Sequence, residues 1–510
     1  FRNCPEFFEI NYAVQKAGGI PVPMNYRFTP REITFQANHS DSVLFFVEDL
    51  WLEALQKARP NLPNIRHFIC AGKNCPEDMT PYEELMTEYP AVDPEIEVGP
   101  EDICVICYTG GTTGRPKGVM LSYQAHVKML EYMGRDLIFR LADMPMSDQK
   151  IYRLAELSPI PGTAFLIKFM RSPIGKYISN SGITHKMVSR LMAYIIANHR
   201  MIRFGPKGVI RIMTPSMPMF HVASYNLIIM AALTGQFTFI QPDMLHFDPA
   251  AVLKMIKAEK VNMLVNVPTG WKMLAEEPAI KDYDLKGVVF CGTGGGVNPA
   301  SLKKKLLDHF PASIIMDIFG QTEMTPMTSL RLDADSSALK DRSVGKPLFE
   351  ARIVDENDLD LPGGQIGEVI YRSDTMMKGY YKDEDKTSEV IKNGWLYSGD
   401  LGYFDEEGEI RVVERKKECI SSGGEKIFPL EVEEIIDEHP KVKHSCVIGV
   451  PDEKWGSVVR AVVVLKAKEE ASEKELIDWT RDKISSYKKP RSIIFAESLP
   501  VTPVGKIRRA

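Results

Sequence analysis

The chain has 510 residues, with 63 Lys and Arg against 68 Asp and Glu, which gives a formal net charge of −5. At roughly 100–200 residues per domain, this length predicts two to four domains, or one large and one small domain. The slightly negative charge argues against a general nucleic-acid-binding protein, which needs a strongly basic surface. A hydrophobic content of 44% and a charged content of 26% exclude a disordered chain. No apolar run reaches the roughly 18 residues that a membrane span requires, and no signal-peptide pattern is visible.

Eight cysteines are few for this length, so we expect reduced thiols and a cytoplasmic location. Cys104 and Cys107 have the spacing of a metal or redox pair, but no second pair or neighbouring His completes such a site. Both lie in the apolar run 103–108, which is typical of a buried strand. We therefore interpret them as small apolar residues of the core.

Glycines and prolines separate strand-like from helix-like runs along the chain, which predicts an α/β fold. In chain order we expect a helix over 7–17, strands over 42–46, 65–70 and 103–108, a helix over 250–260, and strands over 261–267 and 288–291. Farther on, we expect a helix over 430–438, strands over 445–450 and 458–465, a helix over 472–485 and a strand over 492–495. Composition shifts near residue 415, so we predict a large N-terminal α/β domain over 1–414 and a small α+β C-terminal domain over 415–510.

The segment 144–207 is basic within an acidic chain, with ten Lys or Arg residues against Asp148 and Glu156. Its apolar residues at 187, 188, 191, 192, 195, 196 and 202 are spaced as one face of a helix. Two interpretations stay open. The segment is either a surface insertion whose apolar face packs on its own domain, or it lies on a membrane surface or a partner.

The strongest motif is TGGTTGRPKG at 109–118, directly after the predicted strand 103–108. Its glycines allow close approach of the backbone to a ligand, and successive N–H groups can surround an anion. Hydroxyl groups and the charge of Lys117 add further phosphate donors. The motif is not a Walker A loop, because Lys does not directly follow the last glycine of a GxxxxG frame. The predicted phosphate-binding residues are Thr109, Gly110, Gly111, Thr112, Thr113, Gly114 and Lys117.

This motif resembles the phosphate loop of the AMP-forming adenylating enzymes: acyl-CoA synthetases, peptide-synthetase adenylation domains and luciferase-type enzymes. Further resemblances follow in the same chain order at 291–302, 319–323, 397–401, 411–429 and 500–509. The run 4–33 is similar to that of the fatty-acid-type acyl-CoA synthetases. Most of the chain apart from 144–207 is covered. The resemblance implies a large AMP-binding domain and a small mobile C-terminal domain, which rotates about Lys417 between two half-reactions.

The implied chemistry activates a carboxylic acid in two steps and uses ATP, Mg²⁺ and CoA. The carboxylate attacks the α-phosphate of ATP, which releases pyrophosphate and forms an acyl-AMP. The thiol of CoA then attacks the acyl carbonyl and releases AMP. Because two anions must be aligned and neutralised, positioning and electrostatics carry the rate.

The resemblance also assigns roles to residues outside the phosphate loop. Phe319 and Gly320 belong to the adenine-binding motif, with Phe319 stacked on the base. Thr322 donates to the α-phosphate, and Glu323 supplies a ligand to Mg²⁺. The glycines Gly294, Gly295 and Gly296 wrap the adenine, although the family usually has Ala-Pro where this chain has Gly296-Val297.

Further roles fall in the C-terminal part. Asp400 is expected to accept both ribose hydroxyls, beside Arg415. The family usually has Gly before that arginine, where this chain has Glu414. Without the resemblance, the run 414–418 is typical of a solvated charged turn. We prefer this interpretation for Lys416. Lys506 would bridge the substrate carboxylate and the α-phosphate. Gly423 and Gly424 would leave room for the CoA tunnel.

His221 resembles the family histidine beside the substrate carboxylate, and it stands where amino-acid-activating relatives have Asp. The expected pocket wall is apolar, small or soft, which predicts a hydrophobic monocarboxylic acid, either a medium- or long-chain fatty acid or a cyclic or aromatic acid. The residues of this wall are Tyr225, Asn226, Thr269, Gly292, Gly320, Met324, Thr325 and Met327. The alternatives are an enzyme that loads a carrier protein, a luciferase-like enzyme, and a catalytically silent binding protein. The expected partners are the acid, ATP and CoA, and no nucleic acid. A homodimer and peripheral membrane contact through 144–207 stay open.

Overall fold

The computed structural model describes residues 1–109, 116–158, 162–179, 181–197, 209–226, 237–242, 247–296, 298–422, 425–452, 455–481, 483–484, 486–500, 507 and 509. The chain forms two compact units, Phe1–Asp341 with Ser373–Glu389, and Arg342–Arg372 with Val390–Ala510. Residues 342–372 and 390–414, which the sequence analysis places in the large domain, thus group with the C-terminal residues. The boundary at 414/415, as the point about which the small domain rotates, stays a prediction.

The first unit contains most of the helices. They are α1 (Pro5–Lys16), α2 (Pro30–His39), α3 (Leu52–Ala58), α4 (Tyr82–Glu88), α5 (Tyr123–Asp143), α6 (Asp148–Leu157), α7 (Thr163–Arg171), α8 (Pro173–Ser179), α9 (Gly182–Ala197), α10 (Pro249–Ala258), α11 (Pro268–Ala275), α12 (Ala300–His309) and α13 (Glu384–Val390). Side-chain caps fix several starts: Thr29 forms a capping box with Glu32 at α2, and Ser122 accepts from the backbone N–H of Ala125 at α5.

Three sheets form the first unit. The parallel sheet near the N-terminus contains β1 (Leu44–Glu48), β2 (His67–Ala71) and β3 (Thr80–Pro81). The antiparallel sheet contains β4 (Ile103–Thr109), β5 (Lys117–Ser122) and β15 (Gly379–Tyr380), with β5 in the middle. The central sheet contains β6 (Ile210–Met213), β7 (Phe237–Ile240), β8 (Met263–Asn266), β9 (Phe290–Gly294), β10 (Ile314–Phe319) and β11 (Ser329–Asp333). Its order is β11-β10-β9-β8-β6-β7, and all pairs are parallel except β10 with β11.

The second unit is built mainly from antiparallel strands. They are β12 (Lys346–Pro347), β13 (Glu350–Val354), β14 (Gly367–Arg372), β16 (Ile391–Lys392), β17 (Trp395–Phe404), β18 (Ile410–Arg415), β19 (Ile420–Ser422), β20 (Glu425–Ile427), β21 (Val442–Asp452), β22 (Gly456–Leu465) and β23 (Ser492–Phe495). The helices α14 (Pro429–Asp437) and α15 (Glu473–Arg481) complete the unit. In its last sheet, β22 lies between β21 and β23. The mixture of helices and strands in both units confirms the predicted α/β class.

Each unit has its own apolar core. In the first, the buried core includes Trp271, Leu253 and Phe310 and packs α10, α11 and α12 on the central sheet. In the second, Val432, Val447 and Leu476 pack the two helices against the last sheet. At about 25 cal/mol per Å² of apolar surface, burial of such residues is the main stabilising contribution to each unit.

The cysteines divide into two groups. Cys104 and Cys107 are buried in β4, and burial raises the pKa of the Cys107 thiol to about 12, which confirms their role as apolar core residues. Cys70 and Cys75 form a disulfide, because the chain turns back after β2 and brings their Cα atoms to 5.7 Å. The prediction of reduced thiols is therefore wrong for this pair.

The basic segment folds largely into helices, and α9 (Gly182–Ala197) contains every position of the predicted helix face except 202. Its apolar residues divide between two environments. Met192 packs against Gly134 of α5, whereas Met187 and Leu191 are exposed. Ile202 lies outside the described residues. Within the described part of the chain, no helix is both long enough and apolar enough to cross a bilayer.

Candidate functional site

The phosphate-loop motif joins two antiparallel strands. Thr109 ends β4, Lys117 begins β5, and the two residues pair directly across the ladder. A Cβ at Gly118 would lie 2.9 Å from Ile106 Cγ2 and 3.1 Å from the Tyr108 ring, so glycine lets the strands approach closely at the base of the loop. The predicted residues Gly110, Gly111, Thr112, Thr113 and Gly114 lie outside the described residues.

Tyr380, which the sequence analysis did not single out, connects two of the predicted site residues. It lies on β15 opposite Val119 of β5. Lys117 Nζ lies 4.2 Å from the centre of the Tyr380 ring, a cation–π contact. The Tyr380 hydroxyl donates a hydrogen bond of 2.8 Å to Glu323 Oε1. The structure therefore brings Lys117 to the ring and Glu323 to the hydroxyl of one buried tyrosine.

The loop that carries Thr322 and Glu323 is a tight turn after β10. A Cβ at Gly320 would lie 2.1 Å from the carbonyl oxygen of Pro326, so this position requires glycine. Thr322 is buried and starts a short 3₁₀ turn. The backbone N–H of Met377 donates to the carbonyl oxygen of Glu323 at 2.8 Å, which fixes the turn to the segment that leads into β15.

The predicted adenine-binding residues meet at one edge of the central sheet. Gly294 ends β9 and pairs with Ile318, the residue before Phe319, on the parallel strand β10. Gly295 and Gly296 continue directly from Gly294. Ligands of open α/β sheets bind outside the carboxyl ends of the strands, which is the edge that these residues occupy. The structure thus places Gly294 beside the start of the 319–323 motif.

His221 begins the segment 221–226, which is anchored to the same turn. His221 is half-buried, and its Nδ1 accepts a long hydrogen bond of 3.4 Å from the backbone N–H of Ala223. Asn226 Nδ2 donates to the carbonyl oxygen of Thr325, two residues after Glu323, at 2.8 Å. The segment that begins at His221 is therefore connected to the turn through Asn226.

A buried histidine behind this segment was also missed. The Nδ1 atom of His126, a residue of α5, lies 2.5 Å from Asn226 Oδ1. Since the Asn226 amide already donates to Thr325, its Oδ1 is the acceptor and His126 Nδ1 carries the proton. Burial lowers the pKa of His126 to about 4, so the ring is neutral near pH 7. Its Nε2 is buried and has no hydrogen-bond partner among the residues that the structure describes.

Neither missed residue has a clear sequence signal. Tyr380 stands in the short run Gly379-Tyr380-Tyr381, and a lone aromatic residue is usually part of a core. His126 stands alone in an apolar helix pattern. Only the pairing of β15 with β5 and the packing of α5 reveal their contacts.

In the second unit, the two predicted ribose-binding residues lie side by side. Asp400 of β17 and Arg415 of β18 are direct cross-strand neighbours, with 2.7 Å between Arg415 Nε and Asp400 Oδ1. The Asp400 carboxylate is buried, whereas the Arg415 side chain is 43% exposed. The backbone N–H of Asp400 also donates to Ser398 Oγ at 3.0 Å. The ion pair fixes the direction of the carboxylate.

The run 414–418 contains both buried and solvated residues: Lys416, for which we prefer the solvated interpretation, is exposed, whereas Glu414 is buried. Glu414 is buried and accepts from the backbone N–H groups of Arg415 and of Leu430, in the first turn of α14, each at 3.0 Å. Burial raises the pKa of Glu414. Lys416 Nζ lies 2.7 Å from the buried Glu368, although the lysine itself is half-exposed. Lys417 is exposed in the turn that follows β18.

The chain next to Lys506 is held by an ion-pair cluster within the second unit. Lys506, Gly423 and Gly424 lie outside the described residues. Arg509, three residues after Lys506, contacts Glu433 of α14 at 2.8 Å and also pairs with Glu418. Burial raises the pKa of Glu433, and the nearby Arg509 opposes this rise.

The donor set fits a magnesium ion bound together with a nucleotide. Mg²⁺ is usually held by one or two carboxylates plus substrate phosphates. Glu323 supplies such a carboxylate, and its hydrogen bond from Tyr380 leaves further lone pairs for a metal. Among the described residues, no three His, Cys, Asp or Glu side chains cluster to form a metal cage of their own. A site completed by phosphate oxygens agrees with this.

Comparison with known proteins matches nearly the whole chain. The family model described as AMP-binding enzyme matches residues 1–163 and 182–381, and the model of the AMP-binding enzyme C-terminal domain matches 431–506. The feruloyl-CoA synthase of an Amycolatopsis species is 29% identical over 99% of this chain and 85% of its own length. The long-chain-fatty-acid–CoA ligase of Bacillus subtilis (strain 168) is 28% identical over 99% of this chain and 83% of its own. The indoleacetate–CoA ligase of Aromatoleum aromaticum is also 28% identical, over 99% and 85%.

Solved structures show the same fold. The anthranilate CoA ligase AuaEII in complex with anthranoyl-AMP matches 100% of this chain and 85% of its own, with a TM-score of 0.78 and 22% identity. The o-succinylbenzoate CoA synthetase MenE of Bacillus subtilis, in complex with ATP and a magnesium ion, matches 100% and 87% with a TM-score of 0.73 and 22% identity. The family uses ATP with Mg²⁺ and CoA, as the sequence predicts. The chain belongs to the AMP-binding enzyme family and is an acyl- or aryl-CoA ligase of the AMP-forming type.

Proposed function

We propose that this protein activates a hydrophobic monocarboxylic acid as its acyl-AMP, with release of pyrophosphate, and then transfers the acyl group to CoA. The observation that carries the proposal is the cluster of Lys117, Tyr380 and Glu323. A lysine at the base of the phosphate loop contacts the ring of one tyrosine, and a carboxylate suited to Mg²⁺ accepts from its hydroxyl. This arrangement matches the charge that ATP and its metal ion would bring.

The remaining residues take their roles from this cluster. The loop 109–117 holds the β- and γ-phosphates, and Thr322 donates to the α-phosphate. Gly294, Gly295, Gly296, Phe319 and Gly320 surround the adenine at the carboxyl edge of the central sheet. Asp400, oriented by Arg415, accepts the ribose hydroxyls. His221 lies at the carboxylate of the acid.

The two half-reactions use different parts of the second unit. Lys506 bridges the carboxylate and the α-phosphate during adenylation, where it stabilises charge that develops in the transition state. Rotation about Lys417 then replaces it with the segment that contains Gly423 and Gly424, which forms the CoA tunnel. The exposed position of Lys417 in the turn after β18 supports its role as the hinge.

The proposed acid class rests on the side chains expected at the pocket. Tyr225, Met324, Thr325 and Met327 are buried, and none of them carries a charge. A second ionic group on the substrate would therefore have no partner among them. The substrates named for the three relatives, from feruloyl to long-chain fatty acyl and indoleacetate, share this hydrophobic character. A medium- or long-chain fatty acid, or a cyclic or aromatic acid, fits these residues.

Pyrophosphate release with a panel of acids, measured with and without CoA, tests the proposal. We expect release that requires both ATP and a hydrophobic acid, with thioester formed only when CoA is added. Amino acids should not support release. ATP turnover without thioester would favour a carrier-loading enzyme, and no turnover with any acid would favour a silent binding protein.

The role of Lys506 can be tested by separating the half-reactions. We predict that Lys506→Ala lowers acid-dependent ATP–pyrophosphate exchange by about 10²–10³-fold, because it removes one charge that stabilises the transition state. Thioester formation from supplied acyl-AMP should stay near the wild-type rate. Lys305→Ala, at an exposed position of α12, is the matched control. Equal loss of both half-reactions would contradict the assigned role.

A further inference from the structure

The helices α7, α8 and α9 expose an unusual amount of apolar surface. The exposed large apolar side chains of these helices are Phe165, Leu166, Phe169, Ile174, Tyr177, Ile178, Ile183, Met187, Leu191 and Tyr194. Tyr177 is 84% exposed and Phe165 is 76% exposed, so these side chains are not partly covered edges of the core. We call this set, with the lysines and arginines beside it, the basic apolar face. A contiguous set of this kind is rare on a protein surface without a partner.

The exposed residues follow helical stripes. On α9 the exposed apolar positions Ile183, Met187, Leu191 and Tyr194 are spaced by three or four residues, so they share one side of the helix. On α7 and α8 the exposed pairs Phe165/Phe169 and Ile174/Ile178 have the same spacing. All three helices contact α5, and on α9 the residue that packs against Gly134 of α5 is Met192, which is not part of the exposed set. Their exposed stripes therefore point away from the body of the first unit.

The charges carried by α7, α8 and α9 themselves have one sign, and Lys168 of α7 pairs with Asp148 of α6 at 2.7 Å. No Asp or Glu occurs in the whole run 157–242, whereas nine Lys or Arg residues do. Lys176, Lys186 and Arg190 are exposed, and none of their side chains has a hydrogen-bond or ion-pair partner among the described residues. On α9, Lys186 and Arg190 lie directly beside Met187 and Leu191 in the same stripe. Positive charge and apolar side chains are thus interleaved on one surface.

We propose that the basic apolar face binds the surface of a bilayer that contains anionic lipids. Helices with interleaved basic and apolar residues lie in the interface, with the apolar side chains among the acyl chains and the cations at the head groups. A second copy of the chain is the less favourable occupant, because a symmetric contact would bring the same positive charges together. Residues 164–181 also fall between the two parts of the chain that the AMP-binding model matches, so α7 and α8 lie largely outside the matched family pattern.

Vesicle flotation of the full-length protein tests the proposal without any use of catalysis. We expect the protein to float with vesicles of phosphatidylcholine and phosphatidylglycerol, and to bind vesicles of phosphatidylcholine alone much more weakly. Binding should fall as salt concentration rises, since the head-group attraction is screened. Because no substrate is present, loss of flotation and loss of ligase activity are independent results.

Two sets of variants locate the contact. The charge variant combines Lys176→Glu, Lys186→Glu and Arg190→Glu, and should weaken binding to anionic vesicles by about a hundredfold, at about one kcal/mol per cation. The apolar variant combines Phe165→Ser, Tyr177→Ser and Leu191→Ser, and should weaken binding to a similar degree. The matched controls are Lys281→Glu with Lys304→Glu and Lys305→Glu, and Val92→Ser with Leu359→Ser, all at exposed positions elsewhere.

Each outcome decides the proposal. Wild-type flotation that both variants lose and both controls keep supports it, provided that the variants retain wild-type circular dichroism and ligase activity. Absence of flotation, equal binding to neutral and anionic vesicles, or equal loss in variants and controls would overturn it. Self-association that the apolar variant abolishes, without vesicle binding, would identify the face as a contact between copies and would also overturn it.

Discussion

Tyr380 illustrates how much one side chain contributes at the scale of a residue. Its hydroxyl donates to Glu323 and its ring contacts Lys117. We predict that Tyr380→Phe raises the KM for MgATP roughly tenfold, since a hydrogen bond to a charged group contributes about 1.5 kcal/mol or more. Tyr380→Leu should lower activity further, because the cation–π contact is lost as well. Initial rates of acid-dependent pyrophosphate release, over a titration of Mg²⁺ at fixed ATP, measure both effects.

The next residue provides a matched control. The Tyr381 hydroxyl donates a hydrogen bond of 2.7 Å to Asp41. Neither of these two residues belongs to the proposed site. Tyr381→Phe removes the same chemical group and should leave the Mg²⁺ dependence unchanged. If the two phenylalanine variants have the same Mg²⁺ dependence, Tyr380 does not position Glu323.

The contrast between motif residues and Tyr380 shows what the sequence can predict at this scale. Glu323 and Lys117 stand in dense motifs whose glycines and hydroxyls have few purely structural explanations. Tyr380 and His126 gain their contacts from strand pairing and helix packing between distant parts of the chain. A single sequence does not specify such contacts, because an isolated aromatic residue or histidine fits a core equally well.

At the scale of elements, the sequence predicts well those helices and strands that are bounded by glycine or proline. The strand over 492–495 is found as predicted, and the helix over 250–260 is found as Pro249–Ala258. The strands of 342–415 were not predicted apart from their site motif, because several of them are short and are defined by their partners in the sheet. The helix predicted over 472–485 ends at Arg481, so its apolar spacing continues beyond the helix itself.

The ion-pair cluster of Arg509 connects three elements of the second unit. It joins the chain after Lys506 to α14 through Glu433 and to the turn after β18 through Glu418. We predict that Arg509→Gln destabilises the second unit by about 3 kcal/mol, because it leaves buried carboxylates without their cation. Adenylation should fall more than thioester formation, since Lys506 is only three residues away. Urea unfolding and the two half-reaction rates measure these effects.

A surface arginine of the same unit is the control for this prediction. Arg481 pairs with Asp478 on α15 while its side chain is 61% exposed. Arg481→Gln should therefore change stability by less than about 1 kcal/mol. Arg509 is not a positioning residue if its variant loses stability but both half-reactions keep their wild-type ratio.

At the scale of the whole molecule, buried His126 makes stability depend on pH. Its pKa in the folded protein is about 4, below the 6.5 of an unperturbed histidine, because burial disfavours the charged ring. The unfolded chain therefore binds a proton more readily than the folded chain between these values. The contribution of His126 to the free energy of unfolding is fully present above pH 6.5. It is lost as pH falls toward 4, and the total loss is about 3 kcal/mol.

We predict that His126→Gln flattens this pH dependence, since glutamine keeps a polar side chain near Asn226 but does not titrate. The measurement is the urea midpoint of the full chain between pH 7.5 and 4.5, compared with the wild type at each pH. His185→Gln, at an exposed position of α9, is the matched histidine-to-glutamine control and should keep the wild-type slope. Because carboxylates titrate in all three proteins, only the difference between their slopes reports His126. Equal slopes in the wild type and His126→Gln would show that the buried ring does not couple protonation to folding.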